Sequence, residues 1–151
     1  VSRFVRDHAG WYGGLYVGTK KSDADWDHHE RMVKMGRTRT LDDARDAARS
    51  KRHARGYRTA RENVADLADE GSFQEYGQLA VAAHRSRRAY ADLQTSTAAD
   101  GIITGTCTIN AALVGPQRAG AGIIVNDYAV RAGTQGFLHR RKLERICELA
   151  Q

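Results

Sequence analysis

Five basic side chains within one short segment are the residues of this chain best suited to bind an anion. They lie at and just before the predicted start of a helix, and they are Arg52, His53, Arg55, Arg58 and Arg61. A guanidinium group binds phosphate oxygens through two parallel hydrogen bonds, so this cluster favours a phosphate-bearing ligand. The alternative is a solvated basic helix face that pairs within the chain, for example Arg58 with Glu62.

The positive charge of the chain is concentrated around the same segment. The formal net charge is +6, and residues 31–61 carry 11 Lys or Arg against Asp42, Asp43 and Asp46. Such a stretch fits a phosphate-bearing small molecule as well as it fits nucleic acid. A basic nucleic-acid-binding module therefore remains an alternative, ranked lower because no nucleic-acid motif accompanies the charge.

A glycine turn near the C-terminal end is a second candidate for anion binding. Gly133–Gly136 precedes a predicted helix, whose first backbone N–H groups are free to bind an anion. However, the turn matches neither of the common phosphate-loop patterns, GxGxxG and GxxxxGK[ST]. Glycines in a strand-to-helix turn are more often required by the backbone conformation of the turn. An anion-binding turn and a purely structural turn therefore both stay open here.

Other reactive residue types are assigned structural roles. Asp27–Glu30 contains adjacent histidines, which point about 100° apart on a helix, so we predict no metal site in this chain. Cys107 and Cys147 lack ligand spacing and are expected to be small core residues with reduced thiols, as in a cytoplasmic protein. We likewise expect Asp127 and Tyr128 to be structural.

The local patterns predict helices that would hold the basic segment. Thr40 is expected to cap a helix that runs to about His53, and Gly56 would break it. Thr59–Glu62 is a full capping box, which begins a second helix expected to stop at Gly71. No sustained period appears in residues 1–36, which we interpret as a loosely ordered or peripheral arm.

The remainder of the chain alternates strands with helices. We predict short strands at Ser72–Tyr76, 101–109 and Gly122–Val130, with Ile123–Val125 buried on both faces. Residues 79–93 have a helical composition. A final helix after Gly136 carries apolar side chains at i, i+3, i+4 and i+7, namely Leu143, Ile146, Cys147 and Ala150. No stretch is long and apolar enough to predict a membrane span.

Several of these segments, in this order, resemble one family. They are Arg52–Val64, Asp69–Glu75, Ala99–Gly105, Gly133–Gly136 and His139–Lys142. They resemble the RHARGRxTARERI, DPGSFxE and ADG segments, the glycine turn and the basic helix start in the N-terminal part of a carboxyltransferase domain. That domain belongs to biotin-dependent acyl-CoA carboxylases, the acetyl- and propionyl-CoA carboxylase family. The resemblance covers roughly residues 41–151.

The resemblance implies a fold and an activity. The implied fold class is α/β (α+β), a truncated crotonase/ClpP-like superhelix of ββα units with N-terminal helices. Residues 1–36 would be an unassigned N-terminal arm, and residues 37–151 the N-terminal portion of the carboxyltransferase domain. The implied activity moves a carboxyl group from carboxybiotin to the α-carbon of an acyl-CoA. The loops that form the family's oxyanion holes would follow Gln151, so we expect no catalytic residue in this chain and no turnover by it alone.

The resemblance also implies site residues and partners. It assigns CoA binding to Arg52, His53, Arg55, Arg58 and Arg61. It assigns a wall of the acyl-CoA and biotin cleft to Gly133, Thr134, Gln135, Gly136, His139 and Lys142. Biotin would be carried by a partner protein or domain, within an oligomer that includes biotin carboxyl carrier and biotin carboxylase components. A non-catalytic structural subunit of such an assembly is a further alternative.

Overall fold

The computed structural model describes residues 23–151, of which Val33–Gln151 forms one compact unit. The α-helices are α1 (Asp23–Thr38), α2 (Asp46–His53), α3 (Ala60–Leu67), α4 (Tyr90–Ser96), α5 (Ala111–Val114) and α6 (Phe137–Leu149). The strands are β1 (Gln74–Tyr76), β2 (Ile102–Thr108) and β3 (Gly120–Asn126). Short 3-10 helices lie at Asp42–Arg45, Ala98–Gly101, Pro116–Arg118 and Arg131–Gly133. None of the helices in the described range is long and apolar enough to cross a membrane.

The three strands form one antiparallel sheet in the order β1-β2-β3. Gly105, in the middle of β2, pairs with Glu75 on one side and Ile123 on the other. A Cβ at Gly105 would lie 2.2 Å from the carbonyl oxygen of Gln74, so only glycine lets β1 approach this closely. Glycine at this position therefore permits the close pairing of β1 with β2.

A helix packs on each face of this sheet. Val64 of α3 belongs to the same buried cluster as Ile103 of β2 and Ile123 of β3. On the opposite face, a Cβ at Gly122 of β3 would lie 3.7 Å from the side chain of Ile146 of α6. Successive strand residues point to opposite faces, so the β-branched residues of β2 face α3 on one side of the sheet and α6 on the other. The predicted α/β (α+β) fold class is thus confirmed.

Helix α3 begins as its sequence predicts. The Thr59 side chain accepts a hydrogen bond from the backbone N–H of Glu62, and the Glu62 carboxylate accepts one from the backbone N–H of Thr59. This capping box satisfies two of the amides that a helix start leaves without a partner. The helix ends at Leu67 rather than at Gly71, because Ala68 already has an extended backbone.

Two turns contain three consecutive residues in the left-handed region. The first is Ala99–Gly101, with φ of 52°, 49° and 75°. The second is Arg131–Gly133, with φ of 48°, 54° and 76°. Left-handed backbone is unfavourable for residues with a Cβ, so the contacts around each turn must hold it in place. The first turn precedes β2 and the second precedes α6.

The N-terminal helices differ from the prediction. Helix α1 covers Asp23–Thr38 and buries none of its residues, so residues 23–36 of the predicted loosely ordered or peripheral arm are helical, and residues 1–22 of it lie outside the described residues. Thr40 does not cap the following helix, because its hydroxyl donates to the carbonyl of Arg37 and accepts from Arg61 and Gln78. These tertiary partners replace the local cap.

Three further predictions are wrong in the C-terminal part. Most of residues 79–93 are not helical, and α4 begins only at Tyr90. Ile124 is 45% exposed, so the run Ile123–Val125 is not buried on both faces of the sheet. Cys147 is exposed, whereas Cys107 is buried as predicted.

Candidate functional site

A basic cavity lies between α2 and the loop that follows β3. Its volume is about 300 Å³, and it is lined by Lys51, Arg52, Arg55 and Tyr128 with the small residues Ala48, Ala129 and Ala132. We call it the basic hollow. Positions 48, 51, 52 and 55 fall on one face at helical spacing, which brings the three cations to the same side. The hollow therefore combines three positive side chains with an aromatic ring.

Arg52 is held in place by its own neighbours. Its Nε and Nη2 donate to the carbonyl oxygen of Arg58 at 3.3 and 3.2 Å. Its guanidinium carbon lies 4.8 Å from the ring centroid of Tyr57 and 5.2 Å from that of Tyr128, within the range of cation–π attraction. The remaining N–H donors of Arg52 are left for a ligand, and the side chain is oriented before one arrives.

The other two cations of the basic hollow have no internal partner. Across residues 23–151, neither Lys51 nor Arg55 makes a side-chain hydrogen bond or an ion pair. Both residues are exposed. An anion that entered the hollow would thus meet two cations that need not break an existing contact.

The opposite wall of the hollow is fixed by a buried ion pair. Arg45 donates to Asp127 Oδ2 at 2.6 Å, with both side chains 11% exposed. Asp127 Oδ1 accepts from the backbone N–H of Ala129 at 2.9 Å, and the backbone N–H of Asp127 donates to the carbonyl of Gly101. These bonds orient the loop that carries Tyr128. The structural role predicted for Asp127 is confirmed by this geometry.

Two of the five predicted basic residues are paired on the surface. His53 Nε2 lies 2.8 Å from Glu62, and Arg58 lies 2.9 Å from Asp66. The pKa of Glu62 is lowered, first by the backbone N–H of Thr59 and then by His53. The pKa of Asp66 is lowered by the hydrogen bond from Arg58. Both side chains thus already have an acidic partner, although the pairs are exposed enough to exchange partners.

Arg61 is the most thoroughly engaged of the five. Its two terminal nitrogens bind the Glu75 carboxylate at 2.9 and 3.1 Å, and Nε donates to the carbonyl of Thr40 at 2.8 Å. The Arg61 and Glu75 side chains are only 16% and 9% exposed. This bidentate pair connects α3 with β1 and the chain before α2. The structure brings Arg52 and Arg55 together in the hollow but directs Arg61 inward.

The predicted cleft wall at Gly133–Gly136 is a turn stabilised from within. Thr134 Oγ1 donates to the carbonyl of Arg131, and Gln135 is exposed. A Cβ at Gly136 would lie 2.7 Å from Asp100 Oδ2. The same oxygen accepts from the backbone N–H of His139 at 2.7 Å. Asp100 therefore occupies the N-terminal end of α6, where an anion would otherwise bind.

His139 and Lys142 point into the protein rather than toward solvent. His139 is 1% and Lys142 8% exposed. Lys142 Nζ donates to the carbonyl oxygen of Ala99 at 3.0 Å and to that of Ile102. Burial lowers the pKa of Lys142 from 10.5 to about 8, since desolvation disfavours the charged form. Both residues anchor α6 to the left-handed turn at Ala99–Gly101.

Lys51 and Tyr128 were missed as site residues by the sequence analysis. Lys51 lies four positions before Arg55, so helical spacing alone was a usable signal for it. Tyr128 reaches the hollow only through the path of the chain after β3, which no local pattern reports. No group of three or more His, Cys, Asp or Glu side chains suited to a metal ion occurs within the described residues.

Comparisons with known proteins agree on one family. The chain is 34% identical over 118 residues to the propionyl-CoA carboxylase beta chain of Roseobacter denitrificans, covering 73% of this chain and 21% of that one. It is 31% identical to the biotin-dependent long-chain acyl-coenzyme A carboxylase beta4 subunit of Mycobacterium tuberculosis, covering 68% and 17%.

A solved structure shows the same relationship in three dimensions. A single-chain, multi-domain long-chain acyl-CoA carboxylase matches with a TM-score of 0.78 and 48% identity, over 87% of this chain and 13% of that one. No family model matches the sequence. The chain spans about a fifth of the length of the curated relatives it matches. The resemblance seen in the sequence motifs is confirmed.

Proposed function

We propose that this chain, which belongs by sequence and fold to the acyl-CoA carboxylase carboxyltransferase family, forms part of an acyl-CoA carboxyltransferase and binds the phosphates of its acyl-CoA. The reaction moves a carboxyl group from carboxybiotin to the α-carbon of the acyl group. We assign no catalytic residue to the described part of the chain. The observation that carries the proposal is the basic hollow, where Lys51, Arg52 and Arg55 converge beside Tyr128.

The charge distribution supports a compact phosphate ligand over a long nucleic acid. His53, Arg58 and Arg61 are each paired with an acid, so the basic segment presents fewer available charges than its composition indicates. Between Lys51 and Arg61, the three cations that pair with no acid are Lys51, Arg52 and Arg55, and all three line one hollow of about 300 Å³. A nucleic acid is better served by an extended basic surface. The nucleotide end of CoA carries several phosphate charges within the size of such a hollow.

Biotin and partner proteins are part of the same proposal. The carboxyl group would arrive on a biotin held by a carrier protein or domain, with biotin carboxylase supplying the carboxybiotin. The similarity to a biotin-dependent carboxylase subunit supports this arrangement and an oligomeric assembly. The cytoplasm is the proposed compartment, and the free thiols of Cys107 and Cys147 suit its reducing conditions.

The direct test is a calorimetric titration of the 151-residue chain with CoA. We expect binding, and we expect Lys51→Ala with Arg55→Ala to weaken it about 100-fold, because each lost hydrogen bond to a charged group costs about tenfold or more. The matched control is Arg118→Ala with Arg145→Ala, which removes two arginines that do not line the hollow. The control should bind CoA like the unmodified chain.

Other outcomes would decide against the proposal. Absence of CoA binding, together with a strongly salt-dependent affinity for generic single- or double-stranded nucleic acid, would support the nucleic-acid alternative. Absence of CoA binding combined with capture of other carboxylase components would indicate a non-catalytic structural subunit. Equal loss in the hollow variant and in the control variant would show that only net charge matters.

A further inference from the structure

A small hollow with largely apolar walls lies between α6, strand β2 and the chain that follows β1. Its volume is about 170 Å³, and its lining includes Ala80, Leu138 and Ile146 together with Lys142 and Arg145. We call it the α6 hollow. It shares no lining residue with the basic hollow. Pockets for drug-sized ligands measure roughly 300–1,000 Å³, so an occupant of the α6 hollow must be small.

The ammonium group of Lys142 is buried without an opposite charge. The residue is 8% exposed, and Nζ donates to the carbonyl oxygens of Ala99 and Ile102. These two bonds use two of the three N–H donors of the ammonium group, and they bring no negative charge to it. No ion pair joins Lys142 to an acid anywhere in residues 23–151. A buried charge of this kind is costly until an anion joins it.

The acids that act on Lys142 from a distance are engaged elsewhere. Glu75 of β1 attracts the ammonium group, but it is bound by Arg61, whose own charge repels Lys142. Asp100 also attracts Lys142, and its carboxylate is bound to the backbone N–H of His139. Burial outweighs these attractions, so the pKa of Lys142 falls to about 8. The α6 hollow is thus lined by a cation whose charge is not compensated.

Two arginines of α6 add to the positive charge of the hollow. Arg141 and Arg145 lie four positions apart and both line it, so the described lining contains three cations and no acid. Arg145 donates to Glu148 at 3.1 Å, with the two side chains 63% and 65% exposed. An ion pair this exposed contributes little and can exchange partners. An anion that entered the hollow would therefore be attracted by Arg145 as well as by Lys142.

We propose that the α6 hollow binds a small monocarboxylate with a short aliphatic body. Its carboxylate lies against the ammonium group of Lys142 and the guanidinium group of Arg145. Its aliphatic body packs on Ala80, Leu138 and Ile146. A phosphate is disfavoured, because most of its oxygens would face apolar walls without hydrogen-bond donors. This site is separate from the basic hollow, so it does not rest on the proposed function.

The test is a calorimetric titration of the 151-residue chain with three ligands. Hexanoate has both the charge and the aliphatic body, hexanol has the body without the charge, and acetate has the charge without most of the body. Hexanoate should bind about tenfold or more tightly than either, since a hydrogen bond to a charged group and burial of several methylene groups each contribute that much. No binding of hexanoate, or equal binding of hexanoate and hexanol, would overturn the proposal.

Variants locate the binding in the α6 hollow. Arg145→Gln should weaken hexanoate about tenfold. The matched control is Arg140→Gln, which breaks another exposed ion pair of α6, with Glu144, but does not line the hollow. It should bind hexanoate like the unmodified chain. Ala80→Leu fills the hollow and should abolish binding, with circular dichroism to verify its fold. Equal loss in the two arginine variants, or full binding by folded Ala80→Leu, would contradict this site.

Proton uptake gives a second readout, specific to Lys142. A bound carboxylate favours the charged form of the ammonium group and raises its pKa. The complex should therefore take up a fraction of a proton at about pH 8, and almost none at about pH 6, where Lys142 is already charged in the free chain. Titrations in two buffers of different ionisation enthalpy measure this uptake. Binding of hexanoate without uptake at pH 8 would show that the carboxylate does not lie against Lys142.

Discussion

The carboxylate of Asp100 occupies the space that a Cβ atom at Gly136 would need, with Oδ2 only 2.7 Å from the ideal Cβ position. Asp100 is 4% exposed and donates its backbone N–H to Thr97. Its carboxylate also accepts from the backbone N–H of His139. The ADG segment before β2 and the glycine turn before α6, which resemble two separate family motifs, are therefore parts of one contact.

Gly136→Ala should destabilise the protein through this contact. The added methyl group must displace a buried carboxylate that is bound at the start of α6, which we expect to cost about 1–3 kcal/mol. Gly120→Ala is the matched control, since a Cβ at Gly120 meets nothing within 4 Å. Urea unfolding of both variants measures the difference. Equal free energies of unfolding would contradict the tight contact between Asp100 and Gly136.

Lys142 should make the stability of the chain depend on alkaline pH. Its pKa is about 8 in the folded protein against an ordinary 10.5, so the unfolded chain binds more protons between these values. The free energy of unfolding should therefore rise as the pH goes from about 8 to 10.5. Below pH 8 the folded state carries the full cost of a buried charge, about 3 kcal/mol at about 1.4 kcal/mol per tenfold change in proton affinity.

Lys142→Met should remove that rise, whatever its effect at neutral pH. Loss of the hydrogen bonds to Ala99 and Ile102 changes the absolute stability, so the measured quantity is the slope with pH. Lys51→Met, at an exposed lysine, is the control and should keep the slope of the unmodified chain. A slope that persists in Lys142→Met would assign the alkaline dependence to other groups.

The two ion pairs of α3 should differ sharply in their contribution to stability. Arg61→Ala leaves Glu75, 9% exposed, without its bidentate partner, and we expect a loss of about 3–5 kcal/mol. Asp66→Ala breaks the exposed pair with Arg58 and should cost less than about 1 kcal/mol. Thermal unfolding monitored by circular dichroism compares the two variants. Similar melting temperatures would mean that the Arg61–Glu75 pair is no more important than a surface pair.

The two thiols should react at very different rates. Cys147 is exposed on α6, whereas Cys107 is buried in β2 and burial raises the pKa of its thiol. We expect a thiol reagent to modify Cys147 quickly in the folded chain and Cys107 only when the protein opens. Cys147→Ser should abolish the fast phase. Fast modification of two thiols in the native protein would show that the reagent reaches Cys107 in the folded sheet.

Local patterns predicted the elements whose determinants lie within a few residues. The capping box of Thr59 and Glu62 and the β-branched run of β2 are examples, because hydrogen bonds between neighbours and side-chain shape decide them. Thr40 was predicted incorrectly, since Arg61 and Gln78 compete for its hydroxyl from distant parts of the chain. Those partners become neighbours only after folding.

In the candidate site, too, features fixed by neighbouring residues were predictable, and features fixed by distant residues were not. Arg52 and Arg55 were identified from residue type and from their position in one short basic segment before a predicted helix, and both line the basic hollow. The inward direction of Arg61 depends on Glu75, and the ring of Tyr128 depends on the loop held by Asp127. Neither relationship is encoded in local spacing. Predicting the charge of the hollow was therefore possible from the sequence, whereas predicting its aromatic wall was not.

The left-handed turn at Arg131–Gly133 has a consequence for ligand affinity. Ala132 has a φ of 54°, which an alanine rarely adopts, and it forms one wall of the basic hollow. The free energy that holds Ala132 in this unfavourable conformation is therefore supplied by folding and not by ligand binding. A ligand that packs against Ala132 meets a preorganised surface, so its binding is not weakened by the entropy cost of ordering a loop.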